Sequence, residues 1–303
     1  MDLALIKELE RNPLASNSEL GLRLYASRNT IARRVQTLLS QKIISISVIR
    51  HISESGTGTM AYFFINASGG RVNKVAEALS AQSQIDQVNI TTGQYDIMAF
   101  GKFHDNQGLL EFLRTGVGGI QDVAGCQTMI ILAATKTDNP LFDEHLAIPG
   151  ESESPLCTDE LALKIIDELD NDPRQNHTVI AKQLGVSRQT ISRKIHSLLS
   201  SQAISIATYV NPMALGYQTL SVILLKVRPG AIDKTAEKLA GFPEIQGVFI
   251  GTGQYDIIAF AVFQNVNDLS TLVRGKLGAI KGVLVHETIV VLHAVKSPFG
   301  ILV

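Results

Sequence analysis

The chain has 303 residues, of which 45% are hydrophobic and 18% charged, and its formal net charge is −1. This composition supplies material for packed cores and excludes an extended disordered tract. The balanced charge excludes a globally basic nucleic-acid coat, so any contact with DNA must come from local patches.

Cysteine use and apolar runs indicate the compartment. Cys126 and Cys157 lie at non-equivalent places, which argues against a disulfide framework and favours a reducing cytoplasm. The N-terminus lacks a secretory pattern, and the longest apolar runs are too short to span a bilayer. We therefore predict a cytoplasmic protein with no membrane partner.

An internal repeat organises the chain. The hexapeptide TGQYDI occurs at residues 92–97 and again at 252–257, an offset of 160 that also relates SRNTIARR at Ser27 to SRQTISRK at Ser187. A two-part module is therefore present twice. We predict domains over 1–50, 57–137, 160–210 and 217–297, with a linker over 138–159 that is rich in proline, serine and acidic residues.

The first domain of each copy is predicted to contain three helices. In the first copy they cover about 2–11, a segment from Ser16 or Asn17 to about Leu24, and a segment capped by Ser27 that ends near Ser40. The second copy repeats them from about Leu161, with helix two over 176–184 and helix three capped by Ser187. A helix, a short turn and a second helix form a helix-turn-helix. The runs IISISVIR and AISIATYV that follow predict a wing or a connecting strand.

The turn between helices two and three differs between the copies. The second copy has Gly185 there, whereas the first has Tyr25. A positive φ angle is easy for glycine and strained for tyrosine. We therefore expect a distorted turn in the first copy, with weaker or altered DNA recognition.

Helix three carries an apolar stripe and an opposite polar stripe. Ile31, Val35 and Leu38 recur at helical spacing and are predicted to be buried. Arginine and amide side chains on the opposite stripe make bidentate contacts to guanine and adenine edges, and flanking basic residues suit phosphates. The same pattern also fits an ordinary amphipathic helix with a solvated basic face. The candidate DNA-binding residues are Ser27, Arg28, Asn29, Arg33, Arg34 and Gln36, and, in the second copy, Ser187, Arg188, Gln189, Ser192, Arg193, Lys194 and His196.

The second domain of each copy alternates strands and helices in the order βαββαβ, which is the ferredoxin-like plan. Such a sheet leaves one face bare of helices, and the second copy is the obvious partner for that face. The predicted fold class is therefore α+β, a tandem repeat that forms a pseudo-dimer within one chain. The predicted elements of the first copy are strands over 60–66, 85–91, 96–103 and 127–135 and helices over 71–80 and 107–114.

A winged helix-turn-helix followed by βαββαβ, with T-G-x-Y-D between the second and third strands, resembles the Lrp/AsnC (leucine-responsive and asparagine-synthesis regulator, or feast/famine) family. The resemblance rests on SRNTIARRVQTLLSQKII with TTGQYDIMAF, and on SRQTISRKIHSLLSSQAI with GTGQYDIIAF. It covers nearly the whole chain apart from the linker. The usual member has one such unit and pairs two chains, so this chain resembles that dimer fused head to tail.

The resemblance implies a transcriptional regulator that binds double-stranded DNA and a small-molecule effector, often an amino acid. It also implies further assembly, as a dimer or tetramer of the fused chain. An aspartate would suit the α-amino group of the effector, and the N–H groups of the glycine turn would suit its carboxylate. Alternatively, the same residues only shape a hairpin and an interface. The residues that match the effector-site turn are Gly93, Tyr95, Asp96, Gly253, Tyr255 and Asp256.

Enzyme signatures are absent from the sequence, and its histidines show no metal-ligand spacing. We therefore expect no catalytic residue, metal or cofactor. Two alternatives stay open. One is a sirohaem-decarboxylase-like enzyme on the same scaffold, although the last strand of the first copy, QTMIILAATK, offers few groups for tetrapyrrole acids. The other is a metabolite sensor with degenerate DNA-binding helices.

Overall fold

The computed structural model of the chain describes residues 1–50, 58–137, 159–201 and 203–297. The linker predicted over 138–159 lies outside these residues except for Asp159, and so does Cys157. The chain forms two compact units, and each unit combines the equivalent domains of the two copies. The first comprises Met1–Gly56 with Glu151–Asn211, and the second comprises Thr57–Gly150 with Pro212–Val303.

The first unit, here called the helical unit, contains two copies of a three-helix domain followed by one strand. Side chains of Ser16, Ser27, Asn176 and Ser187 accept backbone N–H groups at the helix starts, as their capping pattern predicts. The elements, numbered in chain order, are α1 (Asp2–Arg11), α2 (Asn17–Arg23), α3 (Arg28–Ser40) and β1 (Ile44–Arg50), then α6 (Glu160–Asn171), α7 (His177–Leu184), α8 (Arg188–Ser200) and β6 (Ile204–Val210).

The strand predicted as a wing or a connecting strand joins the two copies. Strands β1 and β6 pair antiparallel, from Ile44 opposite Val210 to Arg50 opposite Ile204. Val48 packs against the core of the second copy, and Val210 packs against the core of the first. Each copy therefore contributes apolar surface to the other, which stabilises the pair by the hydrophobic effect.

The turn before α3 keeps the geometry of its counterpart. Tyr25 has φ 53° and Gly185 has φ 68°. The residue after each closes an equivalent hydrogen bond, at 2.9 Å from Ala26 N to Gly21 O and at 3.0 Å in the second copy. The expectation of a distorted turn was wrong, because the tyrosine adopts the left-handed conformation that the turn requires.

Replacing Tyr25 by glycine should stabilise the helical unit. The left-handed conformation costs a non-glycine residue about 1–2 kcal/mol, and the side chain of Tyr25 is 97% exposed, so little packing is lost. We expect Tyr25→Gly to raise the midpoint of thermal unfolding, measured by circular dichroism. The matched change Gly185→Tyr should lower it, and a lower midpoint for Tyr25→Gly would contradict this account.

The second unit, here called the sheet unit, contains both βαββαβ domains. The helix predicted over 107–114 spans Asn106–Glu111, and its helical path continues as a π-helix over Phe112–Val117. The elements of the first copy are β2 (Thr59–Ala67), α4 (Val72–Ser80), β3 (Ile85–Thr91), β4 (Ile97–Phe103), α5 (Asn106–Glu111) and β5 (Val123–Thr137). Those of the second are β7 (Thr219–Val227), α9 (Ile232–Ala240), β8 (Ile245–Thr252), β9 (Ile257–Phe263), α10 (Val266–Thr271) and β10 (Val283–Lys296).

The two sheets close into one barrel. Its strand order is β10-β3-β4-β2-β5-β8-β9-β7, with β5 pairing β8 and β10 pairing β3 across the copies. The faces that the sequence leaves without helices pack against each other in the interior, where Tyr62, Phe100 and Phe249 are fully buried. Closure pairs strand edges that would otherwise be open. The predicted pseudo-dimer is confirmed.

Candidate DNA-binding and effector-binding sites

Helices α3 and α8 are the candidate DNA-recognition helices, called the recognition helices below. The polar stripe predicted on each lies at the surface of the helical unit. The opposite side of each helix is buried, with Ile31 and Ile191 at 0% exposure. Ala32 and Ser192 are half-buried at the edge of the stripe. The exposed members are Asn29, Arg33 and Gln36 on α3, and Gln189, Arg193 and His196 on α8.

Ser27 and Ser187 begin the recognition helices. Each Oγ accepts the backbone N–H three residues on, at 3.1 Å, and lies 2.9 Å from the hydroxyl of Thr30 or Thr190. Both serines are exposed, and they hold a helix N-terminus whose N–H groups and dipole suit a phosphate.

The flanking basic residues differ in their freedom. Arg28 and Arg188 are exposed at the first helical position. Arg34 Nη1 lies 2.6 Å from Asp2 Oδ1, and the ammonium of Lys194 pairs with the Asp159 carboxylate. Arg34 and Lys194 must therefore exchange a carboxylate for a phosphate before they contact DNA.

His177 is a neighbour of the recognition helix that the sequence analysis missed. Its Nδ1 lies 2.8 Å from the Ser192 hydroxyl, so this serine already has a partner within its own domain. Burial, followed by the charge of Arg188, lowers the pKa of His177. The first copy has Asn17 in place of His177 and Ala32 in place of Ser192, so it lacks this pair. Comparison of the two copies at the offset of 160 is the signal that could have found it.

The TGQYDI turns connect β3 to β4 and β8 to β9. Gly93 has φ 91° and Gly253 has φ 132°, conformations that favour glycine. The tyrosines that follow are buried in the barrel at 3% and 4% exposure. Tyr95 Oη donates to Gln127 Oε1 at 2.8 Å, and the Tyr255 hydroxyl donates to the carboxylate of Glu287.

The two aspartates tie the turns to a neighbouring strand. Asp96 Oδ2 accepts the backbone N–H of Ala67 at 2.9 Å, and Asp256 Oδ2 accepts that of Val227 at 2.9 Å. Asp256 also accepts Lys226 Nζ at 2.7 Å. Each carboxylate therefore has a structural hydrogen bond, and that of Asp256 also has a cationic partner.

The surroundings of the two turns differ in charge. In the first copy the backbone N–H of Gln94 faces Glu287 Oε1 at 3.3 Å, so a carboxylate of the protein itself sits at the turn. The position equivalent to Glu287 is the neutral Gln127, and the position equivalent to Lys226 is Asn66. The first turn is therefore more acidic than the second, a contrast that a residue-by-residue alignment of the copies would have exposed.

The carboxylate of Glu287 also affects the hydroxyls of the two buried tyrosines. Burial, followed by hydrogen bonding and repulsion from Glu287, raises the pKa of Tyr255. Burial and the charge of Glu287 also raise the pKa of Tyr95. Both hydroxyls therefore stay protonated at neutral pH and act as donors.

Within the described residues, no three histidine, cysteine or carboxylate side chains lie together as they would around a metal ion. No helix in the same part of the chain is long and apolar enough to cross a bilayer.

The fold and sites define a tandem regulator in which helix-turn-helix domains accompany ferredoxin-like sensing domains. The family model described as the Lrp/AsnC ligand-binding domain matches residues 60–141 and 220–301, and that of the winged helix-turn-helix DNA-binding domain matches 1–45 and 158–202. The chain belongs to the Lrp/AsnC family, with each of the two domains present twice.

Sequence relatives are single-unit regulators. The chain is 36% identical over 140 residues to the HTH-type transcriptional regulator FL11 of Pyrococcus furiosus, which covers 46% of this chain and 92% of the relative. It is 33% identical over 131 residues to an uncharacterized HTH-type transcriptional regulator of the same organism, which covers 43% and 88%.

A solved structure matches the fold over nearly the whole chain. The siroheme decarboxylase NirDL superposes with a TM-score of 0.70 at 14% identity, over 98% of this chain and 92% of that one. This likeness shows the shared tandem architecture.

Alkaline unfolding tests the buried tyrosine network. The pKa of Tyr255 is higher in the folded chain than its unfolded value of about 10. The protonated hydroxyl therefore contributes fully to the free energy of unfolding below about pH 10, and this contribution is lost as the pH rises further. We expect Tyr255→Phe to flatten the fall of the unfolding free energy above about pH 10, by up to ~1.4 kcal/mol per pH unit. Urea unfolding at pH 8 to 11 measures both slopes, and equal slopes would contradict this assignment.

Proposed function

We propose that the chain is a sequence-specific transcriptional regulator, controlled by a small-molecule effector such as an amino acid, that acts in the cytoplasm and catalyses no reaction. The observation that carries the proposal is the pair of exposed, unlike recognition helices in one compact unit. Exposed Arg33 and Arg193 occupy equivalent positions on α3 and α8 and suit guanine edges. Family membership supports DNA and a small molecule as the partners.

The two recognition helices favour unlike half-sites. Equivalent exposed positions hold Asn29 and Gln189, and Gln36 and His196. Helix-turn-helix pairs bind half-sites about one helical turn of DNA apart, so one fused chain is expected to bind an imperfect palindrome. Strain at Tyr25 does not remove the first helix, because α3 and its cap keep the geometry of the second copy.

Matched arginine substitutions test this function. Selection of DNA from a random pool should first give a two-part motif. Arg193→Ala should then weaken binding by ~1–3 kcal/mol and relax base preference in one half-site, whereas Arg33→Ala should do so in the other. Fluorescence anisotropy on the selected site and its half-site variants measures both. Failure of the unaltered protein to enrich any motif at low salt would refute the proposal.

For the effector, we propose that its carboxylate binds at the turn of the second copy. Gly253 and Gln254 are exposed there, and Lys226 Nζ reaches the Gly253 carbonyl at 3.4 Å. Gln254 of this turn and the neutral Gln127 both lie within hydrogen-bond distance of the Tyr95 hydroxyl. In the first turn the backbone N–H of Gln94 instead faces Glu287, whose charge would repel a carboxylate bound there. The proposed site is therefore single in each chain.

Exchanging residues between the copies tests this asymmetry. Gln127→Glu should abolish the single site, and Glu287→Gln should create a second one, because each change gives one turn the charge of the other. Lys226→Asn should weaken the original site. Isothermal titration calorimetry with a panel of amino acids gives the stoichiometry. Two equal sites in the unaltered protein, or unchanged binding in Gln127→Glu, would contradict the proposal.

A tetrapyrrole enzyme is the second candidate, favoured by the fold likeness to the siroheme decarboxylase alone. On β5 the segment 127–135 offers no histidine, arginine or tyrosine for tetrapyrrole carboxylates. Titration with sirohaem separates the candidates, since a saturable shift of its absorbance together with decarboxylated product would establish the enzyme and refute our proposal.

We also propose that fused chains assemble further. Leu132 on β5 and its counterpart Leu292 on β10 are 54% and 59% exposed, which places the same large apolar side chain on both copies. Repeated exposed apolar positions suit a protein interface. Multi-angle light scattering should give a dimer or tetramer, and Leu132→Glu with Leu292→Glu should lower the mass. A monomer at micromolar concentration would refute this assembly.

A further inference from the structure

One side chain of the second copy bonds three groups of the first copy within the helical unit. Arg174 lies in the turn between α6 and α7. Its Nη1 donates to the Pro13 carbonyl at 2.7 Å, and its Nη2 donates to the Ala15 carbonyl at 2.8 Å and to Asn17 Oδ1 at 3.3 Å. Its side chain is half-buried there, and burial lowers the pKa of the guanidinium. Charge-assisted hydrogen bonds of this kind are stronger than neutral ones.

These contacts have no reciprocal in the first copy. The position equivalent to Arg174 is Leu14, which is 39% exposed and carries no polar group. A second bond runs in the same direction, from the buried Thr208 hydroxyl to the Leu9 carbonyl at 2.8 Å, and the residue equivalent to Thr208 is Val48. In these bonds the donors belong to the second copy and the acceptors to the first, so the two helix-turn-helix domains are not equivalent.

The bonded turn leads into α2, which packs against the recognition helix α3. Pro13 and Ala15 lie between α1 and α2, and Asn17 is the first residue of α2. Helices α1, α2 and α3 share one core, which includes Leu9, Leu20 and Ile31, so they move together. The β1–β6 ladder also joins the copies, but a two-stranded ribbon twists readily. Thr208, Val48 and Val210 attach the copies at the ladder itself, and Arg174 adds an attachment away from the ladder that resists this twisting.

We infer that Arg174 is a positioning residue that fixes the recognition helix of the first copy relative to that of the second, and so sets the half-site spacing that the chain accepts. Its consequence for spacing rests on the proposed DNA-binding function. The fixed relation between the helices is a property of the protein alone and is measured without DNA.

Spin labels report that relation directly. Thr37→Cys and Ser197→Cys occupy equivalent exposed positions on α3 and α8, in a chain whose own cysteines are replaced by serine. Double electron–electron resonance should give a narrow distance distribution, which Arg174→Leu, the residue of the first copy, should broaden at least about twofold. Arg11→Leu removes an equally charged side chain that pairs with Glu8 of its own helix, and should leave the width unchanged. An unchanged width in Arg174→Leu would overturn the inference.

Selection from a DNA pool with variable spacers tests the consequence. The unaltered protein should prefer one spacing, and Arg174→Leu should reduce the affinity ratio between the best and next-best spacing at least threefold, with base preferences in each half-site retained. Arg174→Lys keeps the charge but not the fork, and should lie between the two in both assays; it serves equally if the leucine variant does not fold. A broadened distance with an unchanged spacing ratio would overturn the role in spacing. If the unaltered protein binds no DNA, the proposed function fails, and the distance measurement still decides the positioning.

Discussion

The mutual burial of two helix-free sheet faces is the constraint on which the rest of the molecule depends. A four-stranded sheet with helices on one side exposes its other side, and in this chain that side carries Tyr62, Phe100 and Phe249. Each copy covers the surface of the other, and cross-copy pairing of β5 with β8 and β10 with β3 closes the ladder. Neither sensing domain would keep this surface dry alone, so fusion in one chain supplies a partner that is always present.

A fixed partner permits the copies to diverge. In an assembly of identical chains every substitution appears on both sides, but here each side carries its own residues. The charge beside one TGQYDI turn has changed, because the second copy has Glu287 at the position where the first copy has the neutral Gln127. Between the helix-turn-helix domains, Arg174 and Thr208 make bonds that Leu14 and Val48 do not return. The two halves of the regulator have thereby become distinct parts.

Periodicity and repetition were sufficient to predict most of the fold. Capping serines located the recognition helices, and strand patterns located the sheets, because these signals are local. The turn at Tyr25 was misjudged because the surrounding helices impose a conformation against the preference of the residue. Hydrogen bonds between residues about 160 positions apart, such as that of Arg174 to Ala15, left no local signal. The buried state of Tyr95 and Tyr255 was hidden for the same reason, since the barrel closes through the other copy.

The central claim is that one chain carries two unlike DNA-recognition surfaces. Hydroxyl-radical footprinting of the unaltered protein on its selected site, combined with native mass spectrometry of the complex, tests this most directly. The account predicts two protected segments of unequal sequence, about one helical turn apart, for each bound chain. A single protected segment for each chain, or two segments of identical sequence, would contradict it.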